Sequence, residues 1–293
     1  MIHTKKNSFI AYLFLLPWLI GLLTLVIGPM ISSLYLSFTE YDLLTSPEWV
    51  GLKNYISMID DRRFLNAVEV TLTFSLIGVP LQIITALFVA ILLNKGLKGI
   101  GIYRTVYYIP SLLGGSVAIA ILWKNIFGKN GIVNDFLAYF GIQGEGWISH
   151  PDYAIYTLIA LSVWQFGSSM VIFLAGLKQI PNELYEAASI DGAGAFDKLR
   201  KVTIPLLTPV ILFNLVMTII NSVQVFTSAY IVSEGTGGPA NSTMFYTLLL
   251  YLKGFSYFEM GFASAMAWLL LIVLAIITGL VFFSSKYWVH YED

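Results

Sequence analysis

Cysteine is absent from the 293 residues, and charged side chains make up only 11% of them. The first absence excludes disulfides and thiolate-held metals. The second leaves too little charge for the surface of a soluble domain this long. Histidine is equally sparse: His3, His150 and His290 lie far apart, with no spacing suited to a metal. There is no G-x-x-x-x-G-K-[ST] phosphate loop, no H-E-x-x-H and no G-x-S-x-G, so the chain offers neither an ATPase site nor a catalytic site of its own. A formal net charge of −1 gives no reason to expect a nucleic-acid partner. What fills the chain instead is apolar: 57% hydrophobic and 15% aromatic, with a mean hydropathy of +0.78. That is the composition of a membrane protein.

Six runs carry no Asp, Glu, Lys or Arg: residues 7–39, 70–94, 105–123, 153–177, 202–233 and 260–285. Each reaches the roughly 17–25 residues that a helix needs to cross the hydrocarbon. Because lipid satisfies no irregular backbone, these runs predict six transmembrane helices in an all-α fold, with residues 1–293 as a single transmembrane domain. Pro17, Pro29, Pro80, Pro110 and Pro209 fall inside them and predict kinks or helix starts. Residues 235–252 open with GTGGPANST and read as a loop leading into a short apolar segment. Lys5 and Lys6 precede the first run as in a signal peptide, but the run exceeds the usual 7–15 residues and no A-x-A-like site closes it, so a retained first helix is expected.

Lys5, Lys6, Lys95, Lys98, Arg104, Lys178, Lys198, Arg200, Lys201 and Lys286 fall on the side of the N-terminus, and the remaining basic residues on the other. The positive-inside rule then places both termini in the cytoplasm. Between the fourth and fifth runs lies a polar island on that same side. From Asn182 to Pro205 it holds Glu183, Glu186, Asp191, Asp197, Lys198, Arg200 and Lys201. Pro181 disfavours helix before it, Asn182 is a good N-cap, and Glu183 suits a first turn. About two turns with Leu184, Ala187 and Ala188 follow, and Asp191-Gly192-Ala193-Gly194 ends them. Ala195 to Val202 predicts a second short helix, with Ile204-Pro205 opening the next span. Such a helix-turn-helix suits either docking into a partner's groove or an ordinary interfacial loop.

The same residues carry a resemblance. Glu186-Ala187-Ala188, then Gly192, then Val202-Thr203-Ile204-Pro205 resembles the EAA signature of ABC importer permeases: E-A-A, three residues, G, nine residues, I-x-L-P. The extended form I-P-x-E-L-x-E-A-A-x-I-D-G-A is matched by residues 180–193 and is similar to the carbohydrate-uptake branch, which includes the maltose permeases. RTVYYIPSLLGGSVAIAIL (104–122), GGPANSTMFYTLLLYLKGF (237–255) and VGLKNY (50–55) resemble further segments of the first permease subunit of the pair. The large external insertion of the maltose subunit is replaced by residues 124–152.

The resemblance implies a type I ABC importer permease fold, with residues of about 65–285 as the common core and 180–205 as the cytoplasmic coupling loop that docks an ATPase through Glu186, Ala187, Ala188, Asp191, Gly192 and Pro205. It also implies partners: a second six-helix permease, two ATPase subunits holding ATP and magnesium, and an external solute-binding protein, in a bacterial-type cytoplasmic (inner) membrane surrounded by lipid. This chain would bind no cofactor itself. The expected cargo is a sugar or oligosaccharide moved by alternating access; a polyol, a glycerophosphodiester or a uronate oligosaccharide is the alternative within the family. A channel would need no dense docking element, and a membrane enzyme would need charged or metal-binding residues in its spans.

Uncharged polar residues inside the runs are the remaining signal, since hydrocarbon gives them no partner. Asn214, Asn221, Gln224 and Ser228 recur at steps of seven, three and four, which predicts one helical face. Phe226 and Tyr230 stand nearby, and amides beside aromatic faces suit sugar rings. Through the resemblance, Gln165, Ser168, Asn221, Ser222 and Gln224 become candidates for the substrate pathway, with structural glue between helices as the competing role. The topology is open to test because the chain lacks cysteine. Ala195→Cys is expected to resist an impermeant thiol reagent in whole cells while Ser46→Cys reacts; the opposite pattern reverses the orientation.

Overall fold

A computed structural model of the chain describes residues 13–95 and 99–290. Among them, five helices are long and apolar enough to cross a membrane, or six if one sharply bent pair counts as a span. The start of the first predicted run, residues 7–12, lies outside the described residues, as do Lys5, Lys6 and Lys98.

The first span, α1 (Leu13–Ser37), winds through i→i+5 turns at Leu22–Ile27, where the Gly28 N–H reaches the Leu23 carbonyl just before Pro29. A proline that lacks an N–H is absorbed there by widening the helix rather than breaking it. A two-stranded antiparallel ribbon, β1 (Thr39–Glu40) with β2 (Glu48–Trp49), and the short α2 (Lys53–Asp60) follow. Asn54, from the VGLKNY stretch, donates to the carbonyls of Ser37 and Thr39 at 3.0 and 2.9 Å, and Tyr55 donates to Ser37 Oγ at 2.8 Å. Trp49 stacks on Phe38, with ring centroids 5.5 Å apart.

The chain up to Asp61, with Leu250–Ile272, forms one compact unit, and Arg62–Leu249 with the chain from Val273 forms another. In the first unit Lys253 is clamped between Asp61 (3.1 Å) and Glu259 (2.8 Å), with its ammonium 4.5 Å from the Phe262 ring centroid. Burial alone pulls the Lys253 pKa down, but hydrogen bonds and charge from the two carboxylates outweigh it and hold it above its ordinary value.

The second unit is built on α3 (Arg62–Leu93). This helix starts eight residues before the predicted run and continues through Pro80 without a break. Against it pack α7 (Pro151–Trp164), α8 (Gly167–Leu177) and α11 (Ile204–Val223). Their shared core includes Ala86, Ala90, Phe166, Met170, Phe173, Leu174 and Leu207. Small residues set the closeness of these crossings. A Cβ on Gly176 would meet Val210 Cγ2 at 2.9 Å and Leu207 Cδ2 at 3.0 Å. The last span, α14 (Met260–Ser285), coincides with its predicted run.

Three of the predicted spans are interrupted, one by a sharp bend and two by short breaks inside a single span. The run 105–123 is two helices, α4 (Ile100–Leu113) and α5 (Val117–Ile126), bent by 104° at Gly114-Gly115. Gly115 takes φ +74°, and Ser116 caps the second helix by accepting from the Ile119 N–H. The run 153–177 parts at Gln165 and Phe166 into α7 and α8, and the run 202–233 parts after Val223 into α11 and α12 (Thr227–Val232). None of the breaks falls at the prolines singled out from sequence: Pro110 and Pro209 sit inside α4 and α11.

The polar island also departs from its expected form. Its first helix, α9 (Asn182–Ile190), has Pro181 as flanking residue, so Asn182 is the first helical residue and not the cap. The second is not a separate helix: α10 (Ala195–Lys198) runs through widened turns at Leu199–Thr203 straight into α11. Widening again accommodates a proline, Pro205, without a break.

Gly167, at the start of α8, meets the backbone of α4. A Cβ there would lie 2.3 Å from the Tyr107 carbonyl oxygen and 2.8 Å from Ser111 Oγ, whereas one on Gly279 would meet nothing within 4 Å. Gly167→Ala is expected to lower stability by about 1–3 kcal/mol through overpacking, and Gly279→Ala to leave it unchanged. Melting temperatures of the two variants in detergent read the contrast.

Candidate functional site

The three breaks converge. A cavity of about 550 Å³ is lined from α3 by Phe74 and Gln82, from the α4/α5 break by Ser111, Gly114, Gly115 and Ser116, from the α7/α8 break by Ser162, Gln165, Ser168 and Ser169, and from the α11/α12 break by Asn214, Thr218, Asn221, Ser222, Gln224, Phe226, Thr227 and Ser228. Its polar lining is made of amides, hydroxyls and backbone, with no Asp, Glu, Lys, Arg or His among the lining residues.

Each break frees backbone groups that an intact helix would pair, and polar side chains take them up. At the middle break the Gln165 carbonyl accepts from Ser111 Oγ at 2.8 Å and from Gln82 Nε2 at 3.4 Å. The Ser168 N–H donates to that same Ser111 hydroxyl at 3.1 Å, and Ser162 donates to Gln82 Oε1 at 3.3 Å. At the third break the Val225 carbonyl accepts from the Thr247 hydroxyl. The Gln165 carboxamide lies against the glycine pair, where a Cβ on Gly114 would come within 2.8 Å of Gln165 Oε1. Beyond their breaks α5 and α12 pack together, and Lys124 and Glu234 form an ion pair that joins their ends. The Lys124 hydrogen bond, and then its charge, hold the Glu234 pKa below its ordinary value.

The structure brings all five sequence-derived pathway candidates, Gln165, Ser168, Asn221, Ser222 and Gln224, to this cavity. It separates them by commitment. Ser222 is buried and bound: its Oγ lies 2.9 Å from Ser75 Oγ and donates to the Ile219 carbonyl at 2.8 Å. The exposed carboxamides of Asn221 and Gln224 make no hydrogen bond to other described residues. The expected single helical face is corrected, because α11 ends at Val223 and Gln224 and Ser228 reach the cavity from beyond its end. Asn214 is deeply buried and donates to the Val210 carbonyl at 3.0 Å. Phe226 lines the cavity, and Tyr230 packs on it at 5.5 Å without entering the lining. Ser111, Ser116, Ser162, Thr218 and Thr227 were not singled out. The Gly114-Gly115-Ser116 triplet, a flexible pair before a capping residue inside an apolar run, was the signal for the first break.

The island residues stand apart from the cavity. Glu186, Ala187, Asp191 and Gly192 are exposed, Ala188 and Pro205 half-buried, and Gly192 takes φ +79° in the turn between α9 and α10. Ile190 and Phe196 are 88% and 73% exposed.

Broken spans around an uncharged polar cavity define a membrane transport subunit. Residues 62–288 match the family described as binding-protein-dependent transport system inner membrane component, and the chain belongs to that family. It is 51% identical over 291 residues to a probable ABC transporter permease protein, YesP, of Bacillus subtilis (strain 168), covering 99% of this chain and 94% of that one. It is 33% identical over 298 residues to the lactose transport system permease protein LacF of Rhizobium radiobacter, covering 98% and 99%. Among solved structures, one chain of a bacterial alginate ABC transporter, crystallised with an alginate pentasaccharide-bound periplasmic protein, has the same fold. The TM-score is 0.82 at 21% identity, covering 96% of this chain and 95% of that one.

The division of labour in the cavity is testable. Asn221→Ala and Gln224→Ala are each expected to raise the KM for uptake by about 2- to 13-fold, as the loss of one neutral hydrogen bond does, with melting temperature unchanged. Ser222→Ala is expected to show the reverse, a lower melting temperature from a lost buried bond with KM retained. An unaltered KM with a lower melting point at Asn221 assigns that residue to structure.

Proposed function

We propose that this chain is one permease subunit of an ATP-driven importer that moves a sugar or oligosaccharide across the cytoplasmic membrane by alternating access around the broken-helix cavity. The observation that carries it is the cavity itself: amide and hydroxyl groups, two carboxamides uncommitted, and the Phe226 ring, gathered where three interrupted spans meet α3. Neutral directional donors and acceptors beside an aromatic face match sugar hydroxyls and the CH face of a ring. Relatives whose names specify lactose, trehalose/maltose and arabinooligosaccharides support the same cargo class.

The subunit works in an assembly: a second six-helix permease completes the pathway, an external solute-binding protein delivers the cargo, and two ATPase subunits bind ATP and magnesium. The alginate transporter's association with a periplasmic protein supports the delivery step. Both termini and the island lie in the cytoplasm, where Glu186, Ala187, Ala188, Asp191, Gly192 and Pro205 form the coupling element for the ATPase. Exposed Ile190 and Phe196 supply its apolar contact and Glu186 its charge.

Gly192 at φ +79° is a conformation closed to proline, whose ring fixes φ near −65°. Gly192→Pro and Glu186→Lys are therefore expected to leave insertion of the chain intact while the ATPase no longer co-purifies or no longer drives uptake. An unchanged ATPase yield with normal uptake in both variants would refute the docking assignment.

A further inference from the structure

The hydroxyls of Tyr185, on α9, and Thr203, at the root of α11, lie 3.0 Å apart. Either hydroxyl can donate in this bond, and Thr203 Oγ1 also lies 3.3 Å from the Lys198 carbonyl. Thr203 closes the stretch of widened turns that begins at Leu199, so its hydroxyl fastens a weakened part of the helix as well as receiving α9.

The link is sheltered. Thr203 is buried, and the half-buried Tyr185 ring packs on the cluster that contains Leu177, Ile180 and Leu207. Otherwise α9 has no buried residue. A further bond, from Lys198 Nζ on α10 to Ser189 Oγ on α9 at 2.6 Å, is exposed, where water competes for both partners. The covalent path from α9 to α11 is soft by comparison, since it passes through Gly192 and Gly194.

We propose that Tyr185 is the positioning residue that locks α9 to the root of α11, so that a displacement of α9 reaches the cavity wall instead of being absorbed in the glycine turn. The proposal rests on the reading of α9 as the ATPase-docking element. Downstream of the lock, α11 carries Asn214, Thr218, Asn221 and Ser222 along the cavity.

The test uses the assembled complex with Ser228→Cys, a cavity-lining position in this cysteine-free chain. The rate of labelling by N-ethylmaleimide is measured without nucleotide and after trapping with magnesium, ATP and vanadate. With Tyr185 present, trapping changes the rate. In Tyr185→Phe, ATP hydrolysis is expected to stay within about twofold while the trapping-dependent change shrinks by about 2- to 13-fold, the worth of one hydrogen bond. Thr203→Val should do the same, Thr203→Ser should retain the response, and the double variant should be no worse than either single one. A full-sized response in Tyr185→Phe overturns the proposal, and so does a loss of response that only follows a fall in hydrolysis and melting temperature. If Tyr185→Phe does not assemble, Thr203→Val against Thr203→Ser decides by the same criterion. If the complex with Tyr185 intact hydrolyses ATP and shows no response, the docking reading itself fails, and the lock with it.

Discussion

Hydrocarbon offers no hydrogen-bond partner, and the structure is arranged around the places where helices nevertheless stop. A transmembrane helix that breaks strands several carbonyls and N–H groups, each costly to leave unpaired in apolar surroundings. This chain interrupts three spans within its second unit and settles freed carbonyls on polar side chains of neighbouring segments. Ser111 serves the Gln165 carbonyl and the Ser168 N–H together, and Gln82 links that carbonyl to Ser162. The polar cavity lies where these bonds gather. The groups that hold the fold open and the groups free to meet a cargo are neighbours on the same short segments.

That arrangement explains why polar residues in the spans divide into two kinds. Ser222 and Asn214 are buried and bonded within the protein, so they belong to the cost of making the cavity. Asn221 and Gln224 are exposed and uncommitted, although Asn221 is next to Ser222 in sequence. Adjacent helical positions differ by about 100° in direction, enough to turn one side chain to the neighbouring helix and the next to the opening.

Much of this was legible in the sequence, for identifiable reasons. Absence of charge marks a span regardless of its partners, so the last helix matched its run from Met260 to Ser285. The island was equally visible because charge is expensive in lipid and collects where lipid ends. Breaks were harder to see. Proline was the obvious indicator and misled, because Pro80, Pro110 and Pro209 are each tolerated inside a helix. The actual breaks sit at a glycine pair and at two glutamines, Gln165 and Gln224, each followed by aromatic or apolar residues. No local propensity distinguishes such a glutamine from one that points into a helix interface; tertiary packing decides. The join of α10 to α11 was hidden for the same reason, since a widened turn has no strong sequence signature.

The contact at Gly167 has a geometric consequence. Where a helix start rests directly on the Tyr107 carbonyl and the Tyr108 Cα, the Ser111 hydroxyl is the side-chain group at the contact, and it bonds both the Gln165 carbonyl and the Ser168 N–H. Interdigitated side chains resist rotation, because ridges must climb out of grooves before one helix turns on another. This contact has no such teeth and is held instead by the bonds of one hydroxyl. The bare backbone limits approach and the hydroxyl bonds limit separation, so the two segments are held at one spacing. One such clasp beside the cavity gives α4 and the start of α8 a common anchor.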